Sequence, residues 1–107
     1  PVVINNQFIG GTQSVIYSYC LRSCINVTST DILLMEFALN DDVQGVTRSG
    51  MEELVRNIKS LPLAEQPFSM MTNFIVPYKL FGRRNPKCLS IEEVLFNPIA
   101  IHYDVTS

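Results

Sequence analysis

The chain has 107 residues, 47% of them apolar and 17% charged, with a formal net charge of −2. A length of this order is one domain's worth, so residues 1–107 are expected to form a single compact domain with its own core, and so apolar a composition excludes wholesale disorder. The slightly negative balance excludes a protein that coats nucleic acid over its whole surface, and no stretch reaches the ~18 apolar residues that a membrane-spanning helix requires, so a soluble chain is expected.

The segment "VVINNQFIGG" has two short apolar runs around Asn5-Asn6, a residue pair that tolerates positive φ, and is expected to form a hairpin before Gly10-Gly11 breaks the chain. Next comes "YSYCLRSCINVTST". In strand register from Val15, one face carries Val15, Tyr17, Tyr19, Leu21, Ser23, Ile25 and Val27, and the other carries Ile16, Ser18, Cys20, Arg22, Cys24 and Asn26. In helical register Val15, Ile16, Tyr19, Cys20, Ser23, Cys24 and Val27 also form a stripe, but Tyr17, Leu21 and Ile25 then face outward. The alternation of β-branched and aromatic residues favours the strand. "DILLMEFAL" is apolar nearly throughout and reads as a buried strand or as a short helix capped by Thr30; its length of about nine residues favours the strand.

The clearest element follows the polar turn "NDDVQGVTRSG". Ser49 and Glu52 form a capping box, and Met51, Leu54, Val55, Ile58 and Leu61 recur at i, i+3, i+4 and i+7. With Glu52 and Glu53 in its first turn, Lys59 in its last and Pro62 as a stop, this predicts an amphipathic helix over about 50–61. "FSMMTNFIV" reads as a strand between two prolines, and "YKLFGRRNPKCL" as a loop. Ser90 and Glu93 form a second capping box and predict a short helix over about 91–96, ended by Asn97-Pro98. The tail "IAIHYDV" alternates, with Ile99, Ile101, Tyr103 and Val105 on one face, and is expected to be a strand. Together these predict an α+β fold: a mainly antiparallel sheet of about five strands, with one well-formed helix and a short C-terminal one. A doubly wound fold is not expected, because strands and helices do not alternate in this reading.

Three cysteines are an odd number for a closed disulfide framework, which favours an intracellular, reducing compartment such as the cytoplasm over secretion. The opposing signal is Asn26-Val27-Thr28, a glycosylation sequon of a kind that intracellular chains also contain by chance. Four residues along a strand span roughly 13 Å, and disulfide Cα atoms lie within about 7 Å, so a strand excludes a Cys20–Cys24 bridge and only a helix would allow one. Cys20, Cys24, Cys88 and His102 can be written as a Cys₃His zinc set, but no glycine knuckle frames them, and no metal or other cofactor is expected. If the tail strand pairs beside the first long strand, His102 and Asp104 approach the two thiols from one sheet face, the elements of nucleophilic catalysis. A solvated edge strand accounts for His102 and Asp104 equally simply.

Pro1 at the head of a strand resembles the tautomerase superfamily, which implies a secondary amine acting as base; the match is one residue and the strand behind it. "PVVINNQFIGG" is similar to the glutaredoxin segment in which proline precedes a strand, a turn and Ile-Gly-Gly beside the substrate thiol. That similarity covers eleven residues, is one residue short in spacing and lacks the upstream cysteine pair.

The remaining candidate is "YKLFGRRNPK". Lys79, Arg83, Arg84 and Lys87 are half of the eight basic residues, with Tyr78 and Phe81 interleaved and no acid among them. Cations with stacking aromatics suit a single-stranded nucleic acid, a phosphorylated ligand or an acidic protein, so Lys79, Phe81, Arg83, Arg84 and Lys87 are the expected binding residues. No set of catalytic groups assembles in the sequence, and the low charge leaves apolar surface for a partner. The functional expectation is therefore a small protein-association module, self-associating as a homo-oligomer. Binding of nucleic acid or a phosphorylated ligand through the basic loop stands second, and an enzyme using cysteine or Pro1 chemistry third.

Overall fold

A computed structural model describes residues 1–41, 46–74 and 95–107, with the side chains of residues 46–48 excepted. Among these residues the elements run α1 (Ser14–Cys24), β1 (Ile32–Met35), α2 (Val46–Lys59), β2 (Phe68–Met71) and α3 (Asn97–Tyr103). Short 3₁₀ turns at Val27–Ser29 and Leu63–Glu65 join them. β1 and β2 pair in parallel, with Ile32 opposite Phe68 and Met35 opposite Met71, and α2 is the crossover between them. Met71 donates its amide to Thr106 at 2.8 Å, so the chain end runs along the other side of β2.

The expected antiparallel sheet of about five strands is therefore replaced, among the described residues, by two parallel strands and three helices that alternate along the chain. Two expected strands are helices, and a third segment, the hairpin around Asn5-Asn6, has no strand at all. The first replacement is α1. Its buried stripe is Ser14, Ser18 and Leu21, spaced i, i+4, i+7, while Ile16 and Tyr19 face out. Small hydroxyl residues carry the packing face, so a count of apolar side chains found the period-2 alternation instead. The second is the tail, where Pro98 sits in the first turn, a position that suits its fixed φ, and Ile99 and Ala100 are buried. Ile101, expected on the covered face, is 81% exposed. Asp104 ends this helix in the left-handed region at φ 52°, its amide donating to Ala100 and Ile101, while Lys59 Nζ donates to its carbonyl.

α2 agrees with expectation in its packing face and differs at its start. Met51, Leu54, Val55, Ile58 and Leu61 are all buried, but the helix begins at Val46, so Ser49 and Gly50 lie inside it rather than at a cap. Gly50 is there for proximity: a Cβ at this position would stand 2.7 Å from both Cα and Cβ of Val15. No other residue lets the α1 backbone come so close. Two polar ties fix the approach. Asp41, fully buried, accepts the Ser14 amide at 2.9 Å through one carboxylate oxygen and the Ser14 hydroxyl through the other. That amide is one of the orphan donors of a helix start, and a carboxylate there also meets the positive end of the helix dipole. Asn57 of α2 donates to the Ser18 carbonyl at 2.9 Å, while the Ser18 hydroxyl donates back to Val15. A side chain reaching into the helical ladder bends a helix, and Cys20, two residues on, has non-helical angles of φ −112° and ψ 16°.

The core joins Leu21 of α1, the buried face of α2, Ile99 and Ala100 of α3, and Met35 and Met71 from the sheet, with Phe37, Leu95 and Phe96. On the surface, Arg56 bonds Glu52, Glu53 and the Tyr103 hydroxyl, tying α2 to α3; the Tyr103 hydroxyl, and then Glu52, hold the guanidinium above its ordinary pKa. Exposed pairs of this kind contribute little to stability. The helix expected over 91–96 has residues 91–94 outside the described chain; Leu95 and Phe96 are buried directly before α3.

Two stability predictions follow from the α1–α2 contact. Gly50→Ala gains about 1 kcal/mol of helix propensity yet forces backbone apart, and is expected to destabilise by a net ~1–3 kcal/mol. Gly10→Ala, whose added carbon meets only the Phe8 ring edge at 3.9 Å, is expected to stay close to wild type in the same urea titration. Asp41→Ala strands the Ser14 donors and is expected to cost about 2–3 kcal/mol by the same measurement; a loss below 0.5 kcal/mol would show that the buried carboxylate is not holding α1.

Candidate functional site

In a strand, alternate residues face opposite sides, and in a parallel pair the residues in register share a side. The inner side of the β1–β2 pair carries Leu33, Met35, Ser69 and Met71, packed toward the helices. The outer side carries Ile32, Leu34, Phe68 and Met70. Ile32 and Leu34 are each 62% exposed and Phe68 is 56% exposed. Among the described residues of the two strands, no polar side chain interrupts this face. β1 pairs with β2 on one edge, and among the described residues nothing pairs with the other. A second run of exposed apolar side chains lies in the N-terminal arm, where Val2, Val3 and Ile4 are 91%, 87% and 87% exposed. The arm is held at its root, where the Tyr17 hydroxyl donates to the Gln7 carbonyl at 2.7 Å and the Tyr17 ring lies 5.3 Å from that of Phe37.

A different surface forms at the carboxyl ends of the two strands. The turn after β1 is closed by the amides of Asn40 and Asp41 donating to the Phe37 carbonyl. Into it comes the start of α1: Gln13 Nε2 donates to the Asn40 carbonyl at 3.2 Å, beside the Ser14–Asp41 pair, after a Gly10-Gly11 turn with Gly11 at φ 73°. From β2 comes Thr72, whose amide donates to the Met35 carbonyl at 2.8 Å, followed by Asn73. The Asn73 side-chain oxygen is buried and, among the described residues, has no hydrogen-bond partner. Ligands of open parallel sheets bind outside the carboxyl ends of the strands, and both of these polar segments follow such an end.

The residues expected to carry chemistry are placed differently. Lys79, Phe81, Arg83, Arg84 and Lys87 lie outside the described residues, as does Cys88. Cys20 and Cys24 are free thiols on α1, the first exposed and the second half-buried. The shared sheet face that was to bring His102 to them does not exist, since both segments are helical. His102 is exposed on α3 and meets the Tyr103 ring edge-on at 4.7 Å. Pro1 is exposed and heads no strand. Among the described residues no three histidines, cysteines or acids come together as a metal site, and no helix is long and apolar enough to cross a membrane. Asn26 is exposed, and its side-chain oxygen accepts the Thr28 hydroxyl at 2.8 Å.

Sequence reasoning missed the outer sheet face because it weighed each strand alone. The signal was present in "ILLM", an apolar run without alternation, which is how a parallel strand covered on both sides reads. Comparison with protein-family models, with curated proteins and with solved structures gives no match to this chain.

Proposed function

We propose that this chain is a protein-association module that self-associates through the outer face of the β1–β2 sheet. The observation that carries the reading is that Ile32, Leu34 and Phe68 stand exposed together on a parallel sheet. Parallel sheets occur almost only with both faces covered, and contiguous apolar patches rimmed by polar surface mark association sites. A second copy of the chain offers the same face and covers it in kind. Light scattering behind size exclusion is expected to give a mass that rises from monomer to dimer with concentration. Leu34→Lys is expected to raise the dissociation constant at least tenfold without disturbing the fold, because Leu34 takes no part in the core. A clean monomer at every concentration defeats the reading.

The buried, unpartnered oxygen of Asn73 favours a second reading: a small polar ligand bearing an N–H or O–H donor, held at the carboxyl ends of the strands. Buried acceptors without partners are few in native proteins and mark places where a missing donor belongs. Titration with small amides and polyols is expected to move the backbone NMR signals of residues 72–74 and 40–41 together. Shifts confined to other surfaces, or none at all, rule it out.

A further inference from the structure

We propose that self-association proceeds by reciprocal arm exchange, with residues 2–6 of one copy adding as a strand to the free edge of β1 in a second copy. The proposal deepens the association reading above and rests on it. Donor and acceptor belong to the same chain. The donor is "VVI", β-branched residues with the intrinsic preferences of a strand, exposed throughout and, among the described residues, in no strand pairing. The acceptor is an edge strand whose outward amides and carbonyls are unpaired among the described residues and whose exposed face is apolar.

The arm's root is anchored where a swapped arm has to be. Tyr17 grips the Gln7 carbonyl, and Thr12 donates to Ile9, so the chain is fixed from residue 7 onward. Before it, the bonds are local ones: Gln7 Nε2 to Asn5 and the Phe8 amide to Asn6. Residues 2–4 can change partners without disturbing the core. Adding a strand to a sheet edge recruits the backbone itself for affinity, with side chains on alternate positions supplying fit. A two-fold exchange uses each arm and each edge once, so it closes at a dimer and leaves no further donor or acceptor for a fibre.

The test uses the full chain with Val3→Pro and Ile4→Pro made separately. Neighbouring positions in a strand present their amides to opposite sides, so one of the two prolines must remove a ladder bond. In light scattering, that variant is expected to raise the dissociation constant thirtyfold or more, with far-UV circular dichroism unchanged because the arm makes no core contact. In hydrogen exchange of the wild type, amides of residues 2–6 and 32–35 are expected to gain protection together as concentration rises. A dimer that survives both prolines and leaves residues 2–6 unprotected overturns arm exchange while the association reading stands. A wild type that is monomeric throughout overturns both.

Discussion

The approach of α1 to α2 at Gly50 is the contact on which the rest of the molecule depends. With Val15 backbone where a Cβ would otherwise sit, the two helices pack through glycine and serine rather than through large apolar side chains. Such an interface gains little from hydrophobic burial, which scales with apolar area. It gains instead from close packing and from hydrogen bonds that the short distance permits: Asp41 to Ser14 at one end, Asn57 to the Ser18 carbonyl further along. These bonds are directional, so they set not only the distance but the register of α1. The register in turn decides that Tyr17 meets Phe37 and reaches Gln7, and hence where the arm leaves the body. The kink at Cys20 belongs to the same set of constraints.

What could be read from the sequence followed from how each element earns its stability. α2 is held by an apolar stripe, and Met51, Leu54, Val55, Ile58 and Leu61 were recognisable as its buried face. The short apolar segments containing Ile32–Met35 and Phe68–Met71 were recognisable as strands. α1 was not, because serines line its packed side and large side chains its exposed one. In the tail, one alternating run hid a helix that Pro98 starts and Asp104 stops, and the local rules for those two residues were the better guide. Strand direction was also illegible: pairing partners are non-local, and only the lack of alternation in "ILLM" hinted at a parallel sheet. Of the candidate sites, the basic loop was legible as composition, whereas the outer sheet face required knowing which side the helices take.

Among the described residues, all three helices contribute to one core on the side of Leu33, Met35, Ser69 and Met71, and none packs on the other side of the sheet. A one-sided parallel pair is an uneasy object. Its inner side is anchored by Met35 and Met71, both nearly inaccessible, while Ile32 and Leu34 of β1 and Phe68 of β2 point their apolar side chains at water. An open edge beside such a face is also a template for strand addition, which natural sheets blunt with charge, proline or bulges. β1 carries none of these: from Ile32 to Met35 it has no charged residue and no proline. The absence of protection is what distinguishes this edge from one that merely happens to be exposed.

The outer face and the carboxyl-end surface make separate demands and do not compete. Side chains of Ile32, Leu34 and Phe68 project normal to the sheet, whereas Asn40, Asp41, Thr72 and Asn73 follow the strand ends. Covering the face therefore leaves the ends open. The two are nevertheless coupled through α1, since its first turn is tied to Asp41 and its Tyr17 holds the root of the arm. Gln7 is followed by the Gly10-Gly11 turn and then by Gln13, which donates to the Asn40 carbonyl, so the root of the arm and the turn after β1 are tied through one short stretch of chain.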